Sequence, residues 1–450
     1  MNHKQQETFL LLISFFLFLF SFISCEKTTA PVNKLQLTLT AEYVGVTEAD
    51  LLLRTSNSEA NTQYQLFRDD SLISDGALIQ AETIITDTRL LPAHHYSYQA
   101  FLIKDQKRIA QSEKQNVNTL DTTSHNYTWQ TFTFGGEAGS CVLYDCAILS
   151  EDNIWCAGAI YLKDSLGNPD PNAYNAVHWD GQQWELKRIP FTGWCSAVQF
   201  PPLRSILVFT ENDIWFARGG SLVHYNGSTF YNDCDMNSLL EGSINKIWGT
   251  DSNNIYAVGG AGSIAHYNGS SWQKLESPAG ADATDFDFQD IWGVVDLSNG
   301  QNKILAVACN RFTNDGSAIV QITGNTIKIV QGDGLPSNIS GVWSADGREW
   351  YICGDGLFKS RDLTKPWQEI AGQPLIYKLC IRGNGPNDIF VAGYLGLVSH
   401  WNGYSWQTYP AMPGNYYGLA VQGDLVVAVG QETAGWVGGP AAILMGRRNS

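Results

Sequence analysis

Basic charge is scarce in this chain: 28 Lys and Arg stand against 44 Asp and Glu, giving a formal net charge of −16 over 450 residues. No Lys/Arg cluster relieves that excess, so the counterion release that drives nucleic-acid binding is missing, as is a basic patch for anionic lipid. No nucleic-acid partner is expected. Charge of either sign is sparse, at 16% of residues, and the chain holds only four Met. None of the nine cysteines forms a CxxC pair, which leaves no zinc knuckle and no thioredoxin-like redox motif. Tryptophan is missing before residue 129, and all 15 copies lie from there on. What is abundant is glycine, with 43 copies, and aromatic residues, at 12%. High Gly and Trp with low charge point to short strands and tight turns, not to helical bundles or disorder.

The first 33 residues read as an address. After a single Lys4, an apolar run extends from Phe9 to Ile23, 15 residues in all. That is the length of a signal-peptide core and short for a comfortable transmembrane helix. Ser24 directly before Cys25 resembles the bacterial lipobox, which implies cleavage after residue 24 and acylation of Cys25. An ordinary secretory signal with an incidental Cys is the alternative. Residues 25–33, through Thr-Thr-Ala-Pro-Val-Asn, would then form a polar tether. The eight cysteines after Cys25 sit mostly in apolar runs such as Ile154-Trp-Cys-Ala157 and are expected as buried free thiols. Disulfides are the alternative, with Cys195–Cys234 the candidate pair because both lie in predicted connections on the same side of the fold.

The tryptophan shift marks a boundary near Asp121–Asn126. Before it, residues 34–120 alternate as strands, including Leu35–Ala41, Gln63–Phe67 and Tyr96–Ile103, with no helical period, which predicts a small sandwich. The segment Leu90-Leu-Pro-Ala-His-His-Tyr96-Ser-Tyr98-Gln-Ala100 resembles the tyrosine corner of fibronectin type III domains. That resemblance gives Tyr96 a structural role.

From 127 to 450 the chain repeats. His178-Trp-Asp-Gly-Gln-Gln-Trp184, His224-Tyr-Asn-Gly-Ser-Thr-Phe230, His266-Tyr-Asn-Gly-Ser-Ser-Trp272 and His400-Trp-Asn-Gly-Tyr-Ser-Trp406 each place Asn-Gly or Asp-Gly between apolar runs, which predicts a hairpin with positive φ at both turn residues. A second element precedes each hairpin, a polar turn feeding a strand: Asp152-Asn-Ile-Trp-Cys-Ala-Gly158, Asn212-Asp-Ile-Trp-Phe-Ala-Arg218, Asn253-Asn-Ile-Tyr-Ala-Val-Gly259 and Asn387-Asp-Ile-Phe-Val-Ala-Gly393. The histidine spacings are 46, 42 and 134 residues, the last being three steps of about 45, so two degenerate units lie between. The final unit lacks an outer strand, while Thr128-Trp-Gln-Thr-Phe132 is an outer strand without a unit. Together these predict a ring of about seven four-stranded units closed by the strand near 127–134. The expected fold is all-β, a fibronectin type III-like sandwich followed by a seven-bladed β-propeller.

The repeat histidines occupy one position in different units, so a shared metal is not expected, and neither is a cofactor. They are assigned to packing between units. The connections opposite the Asn-Gly turns vary most, and variable loops on a rigid ring are where binding sites gather. Trp194, Tyr231, Asp285, Asp287, Arg311 and Trp436 from these connections are the candidate ligand-binding residues, with Asp233 and Asp235 nearby. Solvated turn carboxylates are the competing reading. No nucleophile–base pair appears in the repeats, so no catalytic residue is nominated.

The repeat region resembles bacterial secreted β-propellers, and the chain as a whole resembles surface lipoproteins of Bacteroidetes-like bacteria. The resemblance implies a monomeric lipoprotein of the cell envelope, in the outer membrane, that binds a glycan or a protein through the variable face. The alternative is a carbohydrate-active enzyme, hydrolase or glucosyltransferase-like, that uses loop carboxylates at the propeller mouth.

Overall fold

The computed structural model describes residues 35–56, 62–78, 80–193, 197–233, 235–276, 286–296, 300–313, 315–330, 332–409, 414–434 and 437–449. The export signal, Cys25 and the tether lie outside them, as do Cys195 and Cys234. Among the described residues, regular structure is almost wholly antiparallel strand, with two short 3-10 turns at Asp235–Ser238 and Tyr394–Gly396. The chain divides into two compact units. The first holds the chain up to Ala41, Leu51–Ile85 and Tyr96–Asn116; the second holds Glu42–Asp50, Thr86–His95 and the chain from Val117 onward.

Strands of the N-terminal region form two sheets. Gln36–Val44, Glu48–Ser56 and Glu82–Thr88 make one, and Ser71–Ala77, Gln63–Arg68, His95–Lys104 and Lys107–Gln111 follow one another in the second, with Gln115–Asn118 also paired to His95–Lys104. Alternation sets which side is buried: Leu37 and Leu39 point inward while Gln36, Thr38 and Thr40 point out. Tyr96 is buried, and the Arg68 guanidinium lies 5.3 Å from its ring centre.

From Tyr127 onward, the described strands assemble into seven four-stranded antiparallel sheets and one small hairpin. The innermost strands are Val142–Ser150, Ser205–Thr210, Ile244–Asp251, Phe288–Asp296, Ile339–Trp343, Lys378–Gly385 and Asn415–Gln422. Each lies against the innermost strand of the next sheet, and Val142–Ser150 also lies against Asn415–Gln422. In six sheets four consecutive strands pair in order. In the last, the fourth strand is Tyr127–Phe134, paired antiparallel with Val437–Arg448 from Phe134 opposite Ala441 to Tyr127 opposite Arg448.

The apolar core is divided, with one buried cluster between each pair of neighbouring sheets. Sheets buried on both faces explain why strands such as Ile389-Phe-Val-Ala392 read as unbroken apolar runs. The last sheet approaches the first through Gly418, where a Cβ would fall 2.8 Å from the Asp145 Cα. Cys141, Cys146, Cys156, Cys309, Cys353 and Cys380 are buried and free.

The four repeat hairpins form, with a different turn from the one expected. Pairing ends at Trp179–Trp184, Tyr225–Phe230, Tyr267–Trp272 and Trp401–Trp406, so each loop has four residues. Only the glycines take positive φ, at 92°, 91°, 89° and 88° for Gly181, Gly227, Gly269 and Gly403. The preceding Asp or Asn acts through its side chain: Asn226 Oδ1 accepts the Ser228 and Thr229 N–H groups at 3.1 and 2.9 Å, and the other three do the same. This is an Asx turn, in which a side-chain oxygen replaces a backbone acceptor.

Candidate functional site

The innermost strands share a defect near their starts. In six of them one residue is left out of the ladder: Tyr144, Asn245, Gln289, Ser340, Leu379 and Tyr417. In the remaining sheet, Arg204 stands just before the first paired residue, Ser205. A bulge turns its extra residue off the paired plane. All seven of these residues line one cavity of about 170 Å³, together with Asp145, Lys246, Asp290, Arg311 and Arg382.

Two buried carboxylates tie this cavity's wall together. Asp145 Oδ2 accepts the Ser205 hydroxyl at 2.7 Å and the Ile206 N–H at 2.9 Å, and Oδ1 meets Lys246 Nζ at 2.5 Å. One side chain thus joins the first three sheets. Asp290 does the same for the fourth, fifth and sixth. It accepts the Val342 N–H at 3.1 Å and holds Arg382 in a two-point pair at 2.9 and 3.0 Å. Burial alone would lower the pKa of the Arg382 guanidinium, but the Asp290 charge beside it raises it above its ordinary value. Burial pushes the Cys380 thiol well above its usual range, which leaves it a poor nucleophile.

Two more cations have no such partner. Arg204 and Arg311 line the cavity, and neither pairs with a carboxylate among the described residues. The Arg204 guanidinium lies over the Tyr144 ring at 4.0 Å, and Tyr144 sits 5.9 Å from Tyr417. Arg311 Nε is buried and has no hydrogen-bond partner among the described residues. The lining therefore carries four cationic side chains and two carboxylates, a local positive excess in a chain whose net charge is −16. Both carboxylates are engaged in ion pairs.

Of the residues nominated from the sequence, Arg311 lines the cavity. Asp287 lies near it without lining it: its Oδ1 accepts the Ala261 N–H at 3.0 Å and pins the turn of the preceding sheet. Tyr231 is 54% exposed on the outermost strand Phe230–Asp233, and its hydroxyl accepts from Asn226 Nδ2 at 3.4 Å, on the side of the Asn-Gly turn. Trp194, Asp285 and Trp436 lie outside the described residues. The bulge residues were not nominated. Their sequence signal is a polar pair that interrupts an apolar strand, as in Tyr144-Asp145, Asn245-Lys246 and Gln289-Asp290.

The repeat histidines are held within their sheets, and two of them also reach across, as expected of packing between units: His266 Nδ1 meets Asn325 Oδ1 of the next sheet at 2.7 Å, and the Tyr127 ring of the last sheet lies 5.7 Å from that of His400. Nε2 of His178, His224, His266 and His400 meets the side-chain oxygen of Asn153, Asp213, Asn254 and Asp388 at 3.1, 2.8, 2.8 and 2.8 Å. Each ring also stacks on its cross-strand partner, Trp155, Trp215, Tyr256 or Phe390, with centroids 4.2 to 4.4 Å apart. One element, Asx-Ile-aromatic, thus supplies both contacts. Among the described residues, no group of three or more His, Cys, Asp or Glu is placed to hold a metal.

No family model matches the chain, and no curated protein matches it. Among solved structures, the chain is similar to YCF48 bound to D1 peptide, with a TM-score of 0.51 and 15% identity over 73% of this chain and 99% of that one. It is also similar to the C-terminal WD40 domain of Sif2, at 0.40 and 12% over 80% and 94%. With its packed four-stranded sheets, the first of these likenesses places the second unit among the β-propellers.

Proposed function

We propose that the chain is a non-enzymatic, lipid-anchored binding module of the cell envelope whose propeller recognises a segment of another protein at the cavity mouth. The observation that carries this reading is the cavity itself. It is lined by residues bulged from the innermost strands, and two of its three arginines, Arg204 and Arg311, pair with no carboxylate among the described residues. Concave sites with a few convergent polar groups on a rigid scaffold are the usual form of a recognition site. The similar propeller YCF48 was solved with a peptide, which agrees with a protein ligand.

Within this reading the ring has seven blades and is closed by Tyr127–Phe134; the eight-residue pairing with Val437–Arg448 supports closure. The N-terminal region is a fibronectin type III-like domain, supported by the order of its two sheets. Cys25 carries the lipid that anchors a monomer in the outer membrane.

Site-specific photo-crosslinking tests the binding face. A crosslinker at Gln289, on the cavity, should capture a defined partner from the native envelope, while one at Ser270, on an Asn-Gly turn, should not. Equal capture from both positions refutes the assignment.

A further inference from the structure

Three connections of the propeller share one backbone device and differ in what they display. Ala261, Phe312 and Leu395 all take left-handed conformations, with φ of 51°, 64° and 54°. In each, the backbone N–H is held by an Asx side chain from the segment entering the next sheet: Asp287 at 3.0 Å, Asn338 at 2.7 Å and Asn415 at 3.2 Å. Such a turn suits a small residue, and bulky side chains are uncommon there. Ala261 shows that the turn closes without one. Phe312 and Leu395 nevertheless put large apolar groups into solvent, 67% and 72% exposed. Strain kept beside a cavity, with no gain to the core, points to use.

Phe312 belongs to an aromatic patch, and Leu395 directly follows one of its members, Tyr394. Phe312 lies 5.7 Å from Tyr377 and 6.3 Å from Tyr394, and Tyr377 lies 5.7 Å from Tyr394. Phe312 directly follows Arg311, which lines the cavity. The rings are tilted by 31° to 48° and so make no flat platform of the kind that sugar rings favour. The aliphatic Leu395 adds apolar area suited to a side chain.

We infer that the mouth binds an acidic protein segment, with Arg204 and Arg311 taking a carboxylate and the Phe312, Tyr377, Tyr394 and Leu395 shelf taking an apolar side chain next to it. This rests on the protein-recognition reading above and names the chemistry of its ligand. A guanidinium presents a planar fork that matches a carboxylate at two points. Stacking on Tyr144 covers one face of Arg204 and leaves its N–H edge available. The Nε of Arg311 is a donor that no acceptor among the described residues satisfies.

The test uses the full chain in detergent on an array of random ten-residue peptides, with an acidic polysaccharide, polygalacturonate, as a parallel probe. Retained peptides should be enriched in Asp or Glu beside an aromatic or aliphatic residue. Arg204→Ala with Arg311→Ala should weaken binding of the acidic peptides at least tenfold. Phe312→Ala should remove the apolar preference and leave the acidic one. Arg204→Lys with Arg311→Lys retains the charge without the fork and should lie between, and unchanged melting shows that the variants fold. Retained peptides without acidic enrichment, or acidic binding that survives both alanines, overturn the carboxylate assignment and leave the protein-binding reading standing. Retention of polygalacturonate with no peptide overturns both.

Discussion

Removing the Asp290 carboxylate is the sharpest test of how the propeller is held together. Asp290 and Arg382 are 5% and 7% exposed, and their two-point pair spans from the fourth sheet to the sixth. In Asp290→Ala, the guanidinium keeps the Val342 and Ile381 carbonyls as acceptors but loses the carboxylate it pairs with. Breaking such a pair from one side costs about 3–5 kcal/mol, because a desolvated charge is left uncompensated. For a unit of this size that lowers Tm by roughly 6 °C. Replacing both partners by apolar groups of similar volume, Asp290→Leu with Arg382→Met, removes the stranded charge and should recover most of the loss. All 15 tryptophans lie from Trp129 onward, so their fluorescence follows unfolding of the second unit alone. A shift below about 1 °C for Asp290→Ala, or a double variant no better than the single, refutes the argument.

Acid should weaken the propeller where its last two sheets meet. His125 Nδ1 meets His400 Nδ1 at 2.8 Å, a contact that holds one proton and not two. Burial, then His400 and Arg448, lower the His125 pKa from 6.5 to about 4, and burial lowers that of His400. The unfolded chain therefore binds more protons below about pH 6.5, and stability present above that value is lost as pH falls towards 4. The midpoint in urea should drop over this window, and His125→Gln should flatten the drop; an unchanged profile refutes it. Phe132→Ala removes a ring that packs at 6.0 and 5.9 Å on Trp179 and Trp184. At a half-buried site that should cost about 2 kcal/mol, and no change in thermal unfolding would argue against the closing strand. His224→Ala breaks the Asp213 bond and the stack on Trp215, for about 1–2 kcal/mol with no loss of bound metal; metal analysis and melting decide it. Cys25→Ala should abolish labelling by an alkyne fatty acid, and equal labelling of both proteins would sink the anchor.

Local pattern was enough to reveal the repeat, its period and its strands, because each unit carries its own instructions: an Asx-Gly turn, an Asx-Ile-aromatic strand start, and apolar runs of strand length. Even the fourth strand of the last sheet was legible, as Thr128-Trp-Gln-Thr-Phe132 matches the outer strands elsewhere. The turn type was not, because Asn226 could serve either through its own φ or through its side-chain oxygen, and the loop length that chooses between them is set by pairing. Nor could the histidines' partners be read, since only the cross-strand register places Trp215 opposite His224 and only sheet packing brings Asn325 to His266. The site lay furthest from view. Tyr144, Arg204, Asn245, Gln289, Arg311 and Tyr417 are separated by tens of residues along the chain and meet only because bulges at equivalent places turn them into one cavity. Local chemistry decides which strands form, but which side chains share a space is decided by register and by the closing of sheet upon sheet.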